Sequence, residues 1–172
     1  MCFMLVFYLD IRRIWPMQTN QIRRELMTPE LWSEILPWRN DPLTYLWTKT
    51  QRPITLEEHT SWFENRSSLM DHQPIFSYFY ESSFLGLSRL DKLAKALYEV
   101  SLIINPVERG KGHGRYILGD ICNYFQSLKS KDVKLSAIVH SENLHSQLLF
   151  KSMGFVKLKS DESFDQFIFC QD

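Results

Sequence analysis

Apolar residues recur along the chain with the two periods that distinguish strands from helices. Runs of apolar and β-branched residues predict strands at 21–26, 75–80, 84–90, 97–104, 133–139, 155–158 and 164–169. Helical spacing and helix-start signals predict helices at 29–37, 55–67, 117–128 and 144–153. We predict one α/β domain, because no repeat, low-complexity tract or linker interrupts this order.

Two of the predicted helices begin with capping signals. Thr28 precedes Pro29, the arrangement of an N-cap with proline at the first helical position. Thr55 and Glu58 have the spacing of a capping box. Turn-forming residues separate neighbouring elements at 38–42, 71–74 and 81–83.

The N-terminus carries an apolar run at residues 3–9, which Asp10 ends. This run is too short to span a membrane, which takes about 20 apolar residues. It also lacks the basic region and the cleavage site of a signal peptide. We therefore predict that residues 1–16 are an N-terminal extension of unknown role and that the domain occupies residues 17–172.

Composition and charge narrow the classes of function. Of the 172 residues, 44% are hydrophobic and 14% aromatic, which is enough for a packed core. Twenty basic residues balance twenty acidic ones, and this neutrality argues against a nucleic-acid partner. The three cysteines, Cys2, Cys122 and Cys170, are too far apart for a zinc site and odd in number for a disulfide framework. We expect a reduced cytoplasmic protein with no metal.

A basic glycine loop follows the predicted strand 97–104. Gly110, Gly112 and Gly114 permit backbone angles that other residues resist, so successive N–H groups can point at one anion at the start of a helix. The basic side chains in this loop are Arg109, Lys111, His113 and Arg115. The spacing fits neither the P-loop nor the dinucleotide-binding fingerprint. What remains is the pattern R-x-x-G-x-G, from Arg109 to Gly114.

A second motif supports the first. Residues 143–155 are similar to N-x-x-[AS]-x-x-L-[YF]-x-K-x-G-F, beginning at Asn143. With both motifs in this order, the chain resembles the GNAT superfamily of acetyl-CoA-dependent N-acetyltransferases over roughly residues 20–170. The resemblance implies a mixed, mostly antiparallel sheet of about seven strands flanked by about four helices. It also implies that the glycine loop holds the pyrophosphate of coenzyme A and that Asn143 faces its pantetheine arm.

One departure from the family matters for the chemistry. Many GNAT enzymes have a tyrosine near the thioester sulfur, where this chain has Phe150. A phenylalanine cannot protonate the departing thiolate, although a thiol with a pKa near ~8.5 leaves readily and can take its proton from water. The nearby hydroxyls belong to Ser146 and Ser152.

The resemblance also suggests where the reaction takes place. A neutral amine must attack the thioester, so a base is needed, and Glu99 in the strand before the loop is the candidate. The alternative is that Glu99 is a solvent-facing strand residue with a cross-strand partner. For the oxyanion, the family uses a backbone N–H at a β-bulge in this strand, and the matching positions are Leu102, Ile103 and Ile104.

The amine acceptor is indicated by segments 38–42, 53–59 and 62–63. Together they resemble the N-acetyltransferases of pseudaminic and legionaminic acid biosynthesis, in which a UDP-linked 4-amino-sugar is the acceptor. Arg39 is then expected to bind a phosphate, with Asn40 and His59 at the acceptor. Trp38, Trp47 and Trp62 are candidates to stack on rings, although tryptophans also pack in cores.

Two other functions and one assembly stay open. The ribosomal-protein N-terminal acetyltransferases share a similar turn around residues 38–41 and would take a peptide. A non-catalytic module that binds acetyl-CoA is the second alternative, and Phe150 favours it. We expect a small-molecule amine partner, and a homodimer is left open.

Overall fold

A single mixed sheet organises the fold in the computed structural model, which describes residues 21–127 and 133–170. The seven strands are β1 Ile22–Leu26, β2 Ile75–Tyr80, β3 Ser83–Ala94, β4 Leu97–Ile104, β5 Lys134–His140, β6 Val156–Ser160 and β7 Phe164–Cys170. They lie in the order β1-β2-β3-β4-β5-β7-β6, and only β4 and β5 are parallel. The predicted sheet is confirmed. The extension predicted at residues 1–16 lies outside the described residues, as does Leu128.

Five helices flank the sheet among the described residues: α1 Pro29–Arg39, α2 Pro42–Tyr45, α3 Leu56–Ser67, α4 His113–Ser127 and α5 Leu144–Ser152. Both predicted caps are present, since Thr28 accepts from Leu31 N and Thr55 and Glu58 form a capping box. The short α2 was not predicted, and only its first residue, Pro42, lies in the turn predicted at 38–42. Pro42 at its first position has the backbone angle of a helix already, which favours one helical turn there.

The sheet separates two apolar cores, because successive side chains of a strand point to opposite faces. On one face, α4 and α5 pack over the sheet through residues such as Ile117, Phe125, Phe150, Val100 and Phe167. On the other face, α1 and α3 pack over β2 and β3. The main residues of this second core are Trp32, Ile35, Phe63, Ile75 and Leu87. Each face therefore has its own helical layer.

Strands β4 and β5 are paired only along the first part of β4 and then separate. They pair only at Leu97–Lys134, Tyr98–Leu135 and Glu99–Ser136, whereas β5 stays paired with β7 as far as His140. The prediction of a β-bulge at Leu102–Ile104 is wrong, since β3 and β4 keep an unbroken register there. Glycine explains this: a Cβ at Gly86 would lie 2.5 Å from Ile103 O, so only glycine lets β3 follow β4 so closely.

Candidate active site

The glycine loop begins where β4 ends. Asn105 closes the strand by donating to Phe84 O at 2.9 Å and accepting from Val107 N at 3.3 Å, and a short 3-10 turn follows at Pro106–Glu108. Gly110 and Gly112 have φ angles of 75° and 86°, in the left-handed region that favours glycine. The loop then enters α4, whose first N–H groups have no partners within the helix. Such a loop can hold an anion through backbone N–H groups.

Gly114 has a different reason to be glycine. It lies in the first turn of α4, and a Cβ there would come within 3.3 Å of Leu149 Cδ2 and 3.8 Å of Ile104 Cγ1. The missing side chain therefore lets α4 approach α5 and the end of β4. At Gly110, by contrast, an added Cβ would meet nothing within 4 Å.

Three of the four basic side chains of the loop, Arg109, Lys111 and His113, have partners within the protein. Arg109 donates to Asp41 Oδ1 at 2.8 Å and to Thr44 Oγ1 at 2.6 Å. Lys111 and His113 both lie beside Glu108 Oε2, at 3.0 Å and 3.2 Å. His113 is 5% exposed, so its ring is a packed residue of α4. These pairs leave the backbone N–H groups as the part of the loop that is best placed for a phosphate; contacts of Lys111, Arg109 and Arg115 with coenzyme A stay predictions.

Helix α5 brings Asn143 and Phe150 to the other side of the gap between β4 and β5. Asn143 caps α5 by accepting from Ser146 N at 3.1 Å. Phe150 is 6% exposed and packs against Phe155 and Phe167, with ring centroids 5.0 and 6.4 Å apart. The ring is therefore a core residue, and it carries no hydroxyl that could give a proton. Ser152 does not replace that hydroxyl, because it is exposed and donates to Leu149 O at 2.8 Å.

Glu99 lies at the point where β4 and β5 separate, on the sheet face that carries α1 and α3. Its cross-strand neighbours are Asp91 on β3 and Ser136 on β5. Burial raises the pKa of its carboxyl group, and the negative charge of Asp91 raises it further, whereas Lys49 and Arg89 act in the opposite direction. A like-charged neighbour directly opposite does not stabilise a sheet. Glu99 thus does not fit the simple alternative of a surface residue with a stabilising cross-strand pair.

The polar cluster around Glu99 was missed at the sequence level. Asp91 accepts from Arg66 and, at 2.7 Å, from Arg89 Nε, and Arg89 also donates to Ser101 at 3.2 Å. The ring of Trp62 lies against both guanidinium groups, 5.0 Å from that of Arg89 and 5.7 Å from that of Arg66. Alternation along β3 and β4 was the available signal, because it places Arg89 and Asp91 on the same face as Glu99 and Ser101.

An aromatic wall lies further along the same face. The ring of His140, at the end of β5, is 5.2 Å from the ring of Trp47 and 5.2 Å from that of Phe164. His140 Nδ1 accepts from Glu142 N at 3.2 Å, so Nε2 carries the proton of the neutral ring. Lys49 is exposed in the same segment as Trp47. The segment between α2 and α3 therefore faces the region where β4 and β5 separate.

Arg39 stands at the end of α1, close to this region. Its Nη2 donates to Thr48 and Thr50, at 3.2 and 2.6 Å, while its buried Nη1 has no hydrogen-bond partner among the described residues. Burial lowers the pKa of its guanidinium group, and the nearby charges of Arg89 and Arg52 lower it further. Arg39 and Arg89 therefore place two positive charges near each other. Arg39 Nη1 donates to none of the described residues.

His59 and Asn40, expected at the acceptor, are placed elsewhere. His59 is 2% exposed, stacks on Trp32 with centroids 4.3 Å apart, and bonds Trp32 O through Nε2 at 2.8 Å. It belongs to the contact between α1 and α3, because an aromatic ring there satisfies both packing and one carbonyl. Asn40 is occupied at both ends of its amide, with Ile54 N and Ile54 O each at 2.8 Å. Both residues therefore stabilise the structure around the site through contacts within the protein.

Only one of the three tryptophans proposed for stacking lies near His140. Trp38 packs against Phe84, with ring centroids 4.7 Å apart, and Trp62 stacks on Trp32 at 5.1 Å. Trp47 is the one of the three whose ring lies against His140.

Other reactive groups add little to the site. Burial raises the pKa of the Cys122 thiol to about 12, so this cysteine is a core residue. The described residues contain no group of three or more His, Cys, Asp or Glu side chains that could hold a metal ion. Within residues 21–127 and 133–170, every helix is too short or too polar to cross a bilayer.

Comparison with known proteins now assigns the family. A model of the acetyltransferase (GNAT) domain matches residues 23–156, most of the chain. The chain belongs to the GNAT family. The matched model describes an acetyltransferase domain, and acetyl-CoA is the acetyl donor that the GNAT family uses.

One curated relative and three solved structures illustrate the likeness. The uncharacterized protein MJ1062 of Methanocaldococcus jannaschii is 27% identical over 127 residues, which are 73% of this chain but only 26% of that protein's length. Spermidine N-acetyltransferase of Vibrio cholerae, solved with CoA and spermine, has a TM-score of 0.74 at 18% identity and covers 87% of this chain and 95% of its own. These values show a shared fold.

Two further structures have other names but the same fold. The ribosomal-protein-alanine N-acetyltransferase of Brucella melitensis has a TM-score of 0.71 at 19% identity, covering 87% of this chain and 99% of its own. N-acetyltransferase PseH of Campylobacter jejuni has a TM-score of 0.65 at 20% identity, covering 88% and 99%. Similarity at this level does not distinguish one acceptor from another.

The described residues fit the donor of a GNAT enzyme. Beyond Glu99, β4 has no pairing with β5, so its edge is free to bond an extended chain that carries amide groups, such as pantetheine. The left-handed glycines Gly110 and Gly112 lie directly after that edge, at the start of α4. The individual contacts expected for Leu102, Ile103, Ile104, Asn143 and Phe150 stay predictions.

Proposed function

We propose that this GNAT enzyme transfers the acetyl group of acetyl-CoA to the primary amine of an acceptor that carries negative charge, specifically the 4-amino group of a UDP-linked amino-dideoxy sugar. The observation that carries the proposal is the basic cluster beside Glu99. Arg89 and Lys49 lie close enough to Glu99 to act on its pKa, and Arg39 lies close enough to Arg89 for their charges to interact. A diphosphate is a ligand that such a cluster suits.

Donor binding follows from the glycine loop and the separated strands. The pyrophosphate of coenzyme A binds the N–H groups of the loop from Gly110 to Gly114, at the positive end of α4. Lys111 and Arg115 lie at its rim. The pantetheine arm then runs along the free edge of β4 towards Glu99, with Asn143 across the gap. This order delivers the thioester to the place where β4 and β5 begin to part.

The chemistry is a direct attack within a ternary complex. The acceptor ammonium gives one proton to Glu99, directly or through a water molecule, and its free nitrogen attacks the thioester carbonyl carbon. A backbone N–H within Leu102–Ile104 stabilises the oxyanion. When the carbon–sulfur bond breaks, the thiolate leaves and the amide nitrogen loses its second proton; water passes a proton from the nitrogen to the thiolate, because Phe150 cannot supply one.

A peptide acceptor is less compatible with this charge pattern. A peptide N-terminus would bring a positive charge towards Arg39, Arg89 and Lys49 without a diphosphate to offset the charge of these three residues. The same argument applies to a polyamine. Phe150 is the feature that favours a module that binds acetyl-CoA without turnover, but Glu99 is held in a position that such a module would not need.

A thiol-release assay with acetyl-CoA tests the proposal. The acceptor panel contains a UDP-linked 4-amino-sugar, a ribosomal-type N-terminal peptide, spermidine and an aminoglycoside. We expect coenzyme A release with the amino-sugar. Release with the peptide alone would assign the chain to N-terminal acetylation, and tight acetyl-CoA binding without any release would favour the non-catalytic module.

The charge requirement has its own test. Lys49→Met should raise the KM for the nucleotide sugar about tenfold, since a hydrogen bond between charged groups contributes roughly 1.5–3 kcal/mol. Arg23→Met removes a positive charge from the exposed edge strand β1 and serves as the control. Equal effects of the two variants would contradict the proposed phosphate contact.

A further inference from the structure

Glu99 and Asp91 form an unusual pair in the sheet. They are direct cross-strand partners of β4 and β3, so their side chains leave the same face. Side chains in this relationship are about 4.5–5.5 Å apart at their Cβ atoms, and two like charges there destabilise a sheet. An arrangement with this cost needs a reason other than stability.

Asp91 is held in place from two sides. Arg66 donates to one carboxylate oxygen and Arg89 to the other, the latter at 2.7 Å. Arg66 is itself buried and also donates to the carbonyl groups of Leu90 and Gln73. Asp91 therefore cannot turn away from Glu99 without breaking bonds to two guanidinium groups.

The two arginines are fixed as well. Trp62 lies against both of them, and Arg89 reaches across to Ser101 on β4, two residues from Glu99. Helix α3 supplies Trp62 and Arg66, whereas β3 supplies Arg89 and Asp91. A layered group of four side chains thus lies beside Glu99.

The charges that face Glu99 act in opposite directions. Asp91 raises the pKa of Glu99, and burial raises it more, while Arg89 from β3 and Lys49 from the segment after α2 lower it. Ser136, the neighbour on β5, is uncharged. A carboxylate that binds a proton more tightly is a better base for an ammonium at neutral pH.

We propose that Asp91 is a positioning residue for Glu99, and that its carboxylate, fixed by Arg66 and Arg89 opposite Glu99, strengthens Glu99 as the acceptor of the amine proton. This inference rests on the proposed role of Glu99 as the base. Asp91 itself does not touch the substrate. It increases the proton affinity of Glu99, whereas Arg89 decreases it.

A titration of the Glu99 carboxyl carbon by 13C NMR tests the electrostatic part without any substrate. Glu99→Gln identifies the resonance by its loss. We expect Asp91→Asn to lower the proton affinity of Glu99 by roughly threefold or more and Arg89→Met to raise it. Asp120→Asn is the matched control, since Asp120 is also ion-paired, with Arg24, but belongs to α4 on the opposite face. An unchanged titration of Glu99 in Asp91→Asn overturns the inference.

The pH dependence of kcat/KM separates this inference from the proposed function. The acid limb should move to lower pH in Asp91→Asn, to higher pH in Arg89→Met, and should be absent in Glu99→Gln. A limb that is lost in Glu99→Gln but unmoved in Asp91→Asn overturns the role of Asp91 alone. A limb that survives in Glu99→Gln overturns the base role and the inference with it. Thermal unfolding of each variant shows whether it is folded.

Discussion

Arg109 and Asp41 join the glycine loop to the start of α2, with Arg109 Nη1 2.8 Å from Asp41 Oδ1 across 68 residues of sequence. A second bond from Arg109 to Thr44 fixes α2 to the same guanidinium. The segment that carries Trp47 and Lys49 begins immediately after α2. One side chain, that of Arg109, therefore links the glycine loop to α2 and to the segment proposed to bind the acceptor.

Breaking this pair should affect the two substrates differently. Asp41→Asn loosens α2 and frees Arg109, so we expect the acceptor KM to rise severalfold while the Kd for acetyl-CoA stays the same or falls. Because both side chains are about a third exposed, 29% and 27%, the loss of stability should be below ~1 kcal/mol. Calorimetric titration with coenzyme A and steady-state kinetics measure the two effects. A weaker affinity for acetyl-CoA with an unchanged acceptor KM would contradict the connection.

Two substitutions test the glycine loop, each at a glycine with a positive φ angle. Gly112→Leu places a large side chain at a φ of 86° in the expected phosphate site, and we predict at least a roughly tenfold loss of coenzyme A affinity, since strain of this kind costs about 1–3 kcal/mol. Gly110→Asn is the control, because Asn tolerates this region and a Cβ at Gly110 meets nothing. Normal affinity of the Gly112 variant would refute the assignment of the loop.

Glu99→Gln should change both activity and stability with pH. A base must be ionised, so the rate deficit of the variant is largest above the pKa of Glu99 and shrinks below it. The folded state holds the Glu99 proton more tightly than the unfolded state does, since its pKa is raised from 4.5. The free energy of unfolding contributed by this group therefore falls as pH rises through that window. Urea unfolding should find Glu99→Gln relatively more stable at pH 7 than at pH 4; the reverse order would be inconsistent with a buried carboxylate.

His59 should behave as a structural residue. Its pKa is lowered, mainly by burial, so the neutral ring is favoured in the folded state and stability is lost as pH falls below the ordinary value of 6.5. His59→Ala removes the hydrogen bond to Trp32 O and the stack on Trp32, and we expect a loss of about 1–3 kcal/mol at pH 7.5. The pH-dependent part should disappear in this variant. A large rise in acceptor KM without any loss of stability would return His59 to the acceptor site.

Much of the framework was predictable from local patterns. The strands and the four longer helices follow from apolar periodicity and from the caps at Thr28 and Thr55, because both signals act over a few residues. The R-x-x-G-x-G loop and the motif beginning at Asn143 were sufficient to identify the GNAT family, which the match over residues 23–156 confirmed.

The partners within the site were not predictable in the same way. Arg109, whose contact with coenzyme A stays a prediction, bonds Asp41, and His59 packs on Trp32. Neither contact has a local signal, since the residues concerned are separated by 68 and 27 positions. The same holds for His140, which reaches Trp47 only because β5 and the segment after α2 meet in space.

Local patterns were enough to predict the elements, their order and the anion-binding character of the glycine loop, because backbone propensity and glycine's freedom are local properties. Packing in three dimensions was needed to place Asp91 on β3 opposite Glu99, to separate β4 from β5 after Glu99, and to bring Arg89 and Lys49 near this point. Charge interactions depend on distance through space and on burial, and both arise only when distant segments pack together.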